Sequence, residues 1–296
     1  MRRARRLEIL LLGAYIFSTL VHAQDQSGFI SIDCGSTSSY SDETTGITYV
    51  PDEEYVDSGI NNGIAAQYKG NGLQTKFLNV RSFPDDDRNC YTLKPKQVKG
   101  TQYFMRAQFM YGNYDSKNHA PDFDLYIGVN LWTTVSFKEI DEVVTAEMIH
   151  VPSTKVTNVC LVNKNLGTPF ISVLELRLVS NETYISRTGT LKLAYRLNLG
   201  TNSADEIRFD DDSYDRIWKP IDWSRSMSYL NTTLSIGNDN LYEPPVKVLR
   251  TAITPKNASN WLQFYWSSGD IKTQYYIYMH FAELVNLTEK QTRGGD

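Results

Sequence analysis

The chain resembles itself at an offset of roughly 160 to 172 residues, and a repeat of that length fixes the unit of folding before any single strand is considered. Ile30-Ser-Ile-Asp-Cys-Gly35 has an echo in Tyr195-Arg-Leu-Asn-Leu-Gly200, Tyr91-Thr-Leu-Lys-Pro95 in Arg250-Thr-Ala-Ile-Thr-Pro255, and Tyr103-Phe-Met-Arg-Ala-Gln-Phe109 in Tyr275-Tyr-Ile-Tyr-Met-His-Phe281. Three echoes in the same order imply two copies of one domain. The first copy runs on past Tyr103 through Phe123-Asp-Leu-Tyr-Ile-Gly-Val129 to Val179, whereas the second has about 21 residues after Tyr275. The expected organisation is a first domain over 24–180, a polar junction over 181–194 and a second domain over 195–296 that lacks its closing strands. A sandwich without those strands leaves edges unpaired, so the polypeptide reads as a fragment or truncated product of a longer protein.

Each copy reads as strands. Short β-branched or aromatic runs at 29–32, 104–110, 123–129 and 171–179 show partial period-2 alternation. Between them stand turn residues: Gly59-Ile-Asn-Asn-Gly63, Lys69-Gly-Asn-Gly72, Pro84-Asp-Asp-Asp87 and Gly112-Asn113. No stretch sustains the helical period for more than about two turns. The predicted class is all-β, a jelly roll or β-sandwich, twice over.

The amino terminus sets the compartment. Met1 to Arg6 carries four arginines, Ile9 to Val21 is apolar apart from Ser18 and Thr19, and Val21-His22-Ala23 follows. That pattern predicts a secretory signal peptide over 1–23, its core being shorter than the ~18 to 20 residues a spanning helix needs. Removing it takes four Arg and Glu8 from totals of 30 basic and 34 acidic residues, leaving 26 and 33, a net charge of −7. An acidic surface without a basic cluster excludes nucleic acid and anionic lipid as partners. No later segment is long and apolar enough to span a membrane, so the exported chain is expected in the secretory pathway and at the cell surface. Asn181, Asn231, Asn257 and Asn286 each open an Asn-x-Ser/Thr sequon and are the expected glycan acceptors. Cys34, Cys90 and Cys160 permit at most one internal disulfide. Cys34 sits in an apolar strand pattern, while Cys90 and Cys160 lie beside turn-rich segments and are the preferred pair; their spacing excludes a zinc knuckle.

Several segments carry a family resemblance. They are the exported Ile-Asp-Cys-Gly opening, Val80-Arg-Ser-Phe-Pro-Asp-Asp-Asp-Arg-Asn-Cys-Tyr91, Gly128-Val-Asn-Leu-Trp132, Val159-Cys-Leu-Val162 with Gly167-Thr-Pro-Phe170, and Asp215-Arg-Ile-Trp218. Together they resemble the tandem malectin-like ectodomain of plant leucine-rich-repeat receptor-like kinases. The resemblance implies paired jelly-roll sandwiches ahead of repeats, a membrane span and a kinase that this sequence does not contain. It also implies non-catalytic recognition of a cell-wall or other oligosaccharide glycan, with a secreted peptide or co-receptor protein as the rival ligand.

Sugar binding asks for exposed aromatic faces beside planar hydrogen-bonding groups on loops held by a sheet. Tyr111, Asn113, Tyr114 and Asp115 offer that set after a strand, the bland reading being a strand cap packed on its neighbouring loop. Tyr40, Tyr49 and Tyr55 around Asp52-Glu-Glu54 form a second group, and the cleft between the domains is a third place for a ligand. The five tryptophans read as core. Asp85-Asp-Asp87 and Asp210-Asp-Asp212 lack the spaced ligands of a calcium loop, and Arg88 and Arg216 stand beside them for simple pairing, so no metal is expected. With His119, His150 and His280 remaining after export, and neither Gly-x-Ser-x-Gly nor His-Glu-x-x-His present, no catalytic residue and no cofactor is expected.

Overall fold

The computed structural model describes residues 26–70, 72–96, 100–184, 190–238, 240–257, 259–266 and 272–284; the expected signal peptide and Asn286 lie outside them. Strands are numbered in chain order. One seven-stranded sheet contains β1 (Ile30–Asp33), β2 (Tyr40–Ser41), β3 (Thr48–Pro51), β7 (Gln102–Met110), β10 (Val143–His150), β13 (Val173–Val179) and β14 (Thr190–Lys192), in the order β14-β10-β7-β13-β1-β3-β2. A four-stranded sheet faces it, ordered β6 (Arg88–Leu93), β11 (Thr157–Leu166), β8 (Asp122–Ile127), β9 (Asn130–Val135). A three-stranded sheet joins β12 (Phe170–Ile171), β5 (Asn79–Ser82) and β4 (Ile60–Gly63). All pairs in these sheets are antiparallel except β1 with β3, where Ile32 lies opposite Val50. The all-β expectation holds, and helix is confined to short turns such as α1 (Val246–Leu249).

β7 shows why the sandwich closes. Tyr103, Met105, Ala107 and Phe109 alternate toward the facing sheet and join one core with Leu125, Val159, Leu161 and Phe170. Phe109 meets Phe123 and Phe170 edge-on, at 5.6 and 6.3 Å between ring centroids. The other phase, Phe104, Arg106 and Gln108, is also buried, so every residue of β7 is withdrawn from water. Phe104 packs with Ile149, Val179 and Tyr184, and the 208–216 segment covers the charged groups beside it. A strand buried on both faces sits at the centre of three layers.

The C-terminal part holds smaller pieces: β15 (Leu197–Asn198) parallel to β16 (Lys219–Pro220), and β17 (Met227–Asn231) antiparallel to β18 (Thr251–Pro255). Their arrangement parallels one pair of the first sandwich. β18 follows α1 and pairs with β17, as β5 follows the 3-10 turn Thr75–Phe77 and pairs with β4. A Cβ on Gly35 would stand 2.4 Å from the Val80 carbonyl of β5, and one on Gly200 would stand 2.3 Å from the Ala252 nitrogen of β18. Each of these close approaches is made by a strand of similar build, Leu78-Asn-Val-Arg-Ser-Phe-Pro84 at Gly35 and Leu249-Arg-Thr-Ala-Ile-Thr-Pro255 at Gly200.

Candidate functional site

The 111–118 turn is closed on itself. The Tyr111 hydroxyl donates to Asn113 Oδ1 at 3.2 Å and to Asp115 Oδ1, and the Asn118 amide donates back to Asn113 Oδ1 at 2.8 Å. Tyr111 and Asn113 are buried, while Tyr114 and Asp115 are half-buried. Tyr111 packs on Tyr114 and Phe170 at 5.5 and 6.0 Å, and the Tyr114 hydroxyl donates to the Thr168 carbonyl. Burial, with the hydrogen bond to Asp115 behind it, raises the Tyr111 phenol above its usual range. The four residues are together as their sequence spacing suggested, and their polar atoms answer one another.

The second candidate group divides. Tyr40 and Tyr49 stack at 5.7 Å, and their hydroxyls donate inward to Asp33 and Glu175 at 2.8 and 2.6 Å. Asp52 is buried and accepts from the Tyr91 hydroxyl at 2.7 Å. Glu53, Glu54 and Tyr55 turn the other way and line a cavity of about 610 Å³ at one end of the sandwich, beside Phe29, Thr92, Lys94, Lys96 and Tyr103. The Thr92 amide donates to the Tyr55 carbonyl at 2.7 Å, which ties the two walls of that cavity together.

Between the first sandwich and the C-terminal part lies a buried set of charges that the sequence patterns did not single out. Asp215 accepts from Arg177 Nε at 2.9 Å and from Arg208 Nε and Nη2 at 2.8 Å each, with Arg106 Nη1 3.2 Å away. Arg106 also reaches Glu147 at 2.9 Å and Glu175 at 2.7 Å. Burial by itself would raise the Asp215 carboxyl; the guanidiniums of Arg208, Arg177 and Arg106 outweigh it and hold that carboxyl well below the usual range. The signal was present in β7 and β13, whose charged residues Arg106, Glu175 and Arg177 interrupt apolar strands in phase with the face that turns away from the core. The two acidic triplets behave differently. Asp212 holds Arg216 Nε at 2.8 Å and the Trp218 indole nitrogen at 2.7 Å. Beside the exposed Asp85-Asp-Asp87 turn, however, Arg88 bonds the Gly128 carbonyl and covers the Tyr126 ring instead of pairing with the acids.

Cys90 and Cys160 stand opposite each other in β6 and β11 and are joined by a disulfide, with Cα atoms 4.0 Å apart; Cys34 is a buried free thiol. Trp132 and Trp218 are buried as expected and Trp223 is half-buried, whereas Trp261 and Trp266 are 71% and 44% exposed, in a stretch outside any strand. Asn181, Asn231 and Asn257 are exposed. Among the described residues no helix is long and apolar enough to cross a membrane, and no group of three or more His, Cys, Asp or Glu is placed to hold a metal.

A family model for the malectin-like domain matches residues 32–294. The chain belongs to the malectin-like family. Among curated proteins, this malectin-like chain is 45% identical over 282 residues to a putative leucine-rich repeat receptor-like protein kinase of Arabidopsis thaliana, covering 94% of the chain and 32% of that kinase. A probable LRR receptor-like serine/threonine-protein kinase of the same plant is 43% identical over 308 residues, covering all of the chain and 35% of the relative. The chain thus spans about a third of the length of the curated relatives it matches, in their ectodomain part. Among solved structures, the ANX2 ectodomain from Arabidopsis thaliana has a TM-score of 0.60 at 17% identity, over 75% of this chain and 64% of that one. FER, solved in complex with the plant peptide RALF23 and LLG2, has a TM-score of 0.59 at 15% identity, over 76% and 64%. These structures share the fold with the malectin-like chain.

Proposed function

We propose that this chain is the extracellular, non-catalytic recognition part of a receptor-like kinase, and that its partner is a secreted peptide or a co-receptor protein in preference to a glycan. The observation that carries the preference is the self-closed 111–118 turn: Tyr111 is buried with its hydroxyl already bonded to Asn113 and Asp115, and the half-buried Tyr114 is packed on Tyr111 and Phe170, so neither ring stands free as a platform for a sugar. The complex of FER with a peptide and LLG2 supports the same class of ligand. Export through residues 1–23 and glycans on Asn181, Asn231, Asn257 and Asn286 belong to this reading, as does a build of two malectin-like copies over 24–180 and 195–296 joined by 181–194. The recurring pairs β4/β5 and β17/β18, each abutting an echoed glycine, support the two copies.

The test is a screen of the chain, secreted and glycosylated, against a panel of secreted plant peptides and a glycan array, with Tyr114→Ala and Asp115→Ala beside it. Binding to a peptide and to no glycan is the expected result. Saturable glycan binding that both variants abolish would return the site to the 111–115 loop and to sugar.

A further inference from the structure

The cavity at the end of the first sandwich carries charges of both signs that nothing among the described residues neutralises. Glu53, Glu54 and Asp57 come from the turn after β3, Lys94 and Lys96 from the segment after β6, and all five are exposed. None of these side chains makes an ion pair or hydrogen bond within the described residues, although both sets line the same space. The carboxylates and ammoniums therefore stand apart across the cavity instead of closing on each other, within walls that are fixed. The Thr92 amide to Tyr55 carbonyl bond joins the turn to β6, and the Cys90–Cys160 disulfide joins β6 to β11. The apolar side is also set in place: Phe29 lies under the Arg177 guanidinium at 4.3 Å and edge-on to Phe209 at 5.4 Å, and Val56 and Tyr103 are buried next to it.

From this geometry we infer that the cavity is a binding site for a short peptide segment in which a cationic and an anionic side chain flank an apolar or aromatic one, an inference that rests on the peptide reading above. A ligand of that kind answers both walls at once and covers Phe29, whereas a neutral oligosaccharide leaves five charges uncompensated. An exclusively basic ligand meets the ammoniums of Lys94 and Lys96, and an exclusively acidic one meets the three carboxylates. Complementary charge on both sides selects by rejecting the partly matched ligand as well as by attracting the matched one.

The experiment uses the whole secreted, glycosylated chain, because Asn181 accepts the Gln102 amide at the same end of β7 as Tyr103 and its glycan belongs to the surroundings of the site. The probe is the end-blocked pentapeptide Lys-Gly-Phe-Gly-Glu, compared by microscale thermophoresis with Lys-Gly-Phe-Gly-Gln, Gln-Gly-Phe-Gly-Glu and cellohexaose. The doubly charged peptide is expected to bind about tenfold more tightly than either singly charged one, and cellohexaose not at all. The paired variants Glu53→Lys/Glu54→Lys and Lys94→Glu/Lys96→Glu are each expected to abolish that advantage while leaving the melting temperature in place. Equal binding of all three peptides, no binding of any, or an advantage that survives both paired variants overturns the inference. If the same variants still bind members of the secreted-peptide panel, the peptide reading stands and this site alone is wrong; if the panel is also silent with the wild-type chain, both fail.

Discussion

β7 and the segment 275–281 carry echoing sequences and stand in opposite surroundings. β7 is bonded to β10 on one edge and β13 on the other, with Ala107 opposite both Ala146 and Leu174, and all nine of its residues are buried. In 275–281 the inward residues Tyr278 and His280 pack on Tyr184, Tyr242 and Trp218, with centroids 5.1 to 5.9 Å apart. The alternate residues Ile277, Met279 and Phe281 are 54%, 61% and 81% exposed, and among the described residues none of 273–282 makes a backbone–backbone hydrogen bond. Two similar strings of aromatic and aliphatic residues thus have different energetic weight, because the weight comes from the strands beside them. An apolar strand pattern states which face is prepared for burial; the neighbours decide whether burial follows.

The sharpest way to break this comparison is to truncate the echoed phenylalanines. Phe109→Ala should destabilise the protein by about 3 to 5 kcal/mol, since the ring leaves a cavity among Phe123 and Phe170. Phe281→Ala should stay within about 0.5 kcal/mol, as for most exposed positions. Urea titrations of both variants compare the two, and a cost at Phe281 above about 2 kcal/mol would mean that 275–281 is covered in solution.

The joint between the two parts comes next. Asp215→Asn leaves the guanidiniums of Arg106, Arg177 and Arg208 without their shared carboxylate, at a cost of about 3 kcal/mol. Amide hydrogen exchange should then rise first across 208–218 while β7 stays protected, and equal protection loss in both would show that the parts unfold as one unit.

A pH titration separates two buried groups of the first part. Burial lifts the Asp33 carboxyl to about 7, with the Tyr40 hydrogen bond opposing, and burial lowers the Lys76 ammonium to about 7. Between the unfolded value near 4 and pH 7 the folded Asp33 holds a proton that the unfolded chain has released, so its contribution is full below about pH 4 and is lost as pH rises through 7. Lys76 works in the opposite window: the unfolded chain binds the extra proton from about pH 7 to 10.5, and stability climbs with pH there. Asp33→Asn should flatten the acid limb, recovering roughly 2 to 3 kcal/mol at pH 7, and Lys76→Met the alkaline one, each read as the urea midpoint against pH. An unchanged acid limb in Asp33→Asn would place that titration elsewhere.

The same contrast explains what was legible in the sequence. Alternation placed β8, whose residues are buried and half-buried in turn, so that period 2 is a direct record of the structure; β1, β7 and β13, buried on both faces, were placed instead by their apolar and aromatic runs between turn residues. The 111–115 residues were recognised as a group, but their burial was not visible, since it depends on Phe170 some 55 residues away. The ion cluster went unread for a related reason. Arg106, Glu175 and Arg177 look like solvent-facing positions of half-buried strands until Arg208 and Asp215 arrive from beyond residue 184 to cover them. The cavity wall of Glu53, Glu54, Lys94 and Lys96 likewise joins segments about 40 residues apart, tied by the backbone bond from Thr92 to Tyr55.

The smallest expected effect tests the proposed repeat, with 249–255 set against 78–84 instead of the strand that carries Tyr91. Gly35 and Gly200 occupy echoed positions, and each lets a neighbouring strand come closer than a side chain permits: β5 at Gly35, β18 at Gly200. Gly35 has the added constraint of φ +90°, a region that L side chains rarely adopt. Gly35→Ala should therefore combine steric overlap with backbone strain and cost about 2 to 3 kcal/mol, while Gly200→Ala meets overlap alone and costs about 1 to 2 kcal/mol. The positions of the losses matter more than their difference. If 249–255 is the counterpart of 78–84, Gly35→Ala should raise amide exchange in β4 and β5, and Gly200→Ala should raise it in β17 and β18. Were Gly200→Ala to leave β17 and β18 protected, the close approach at Ala252 would not be holding the second pair, and the two glycines would share a sequence motif without sharing a structural role.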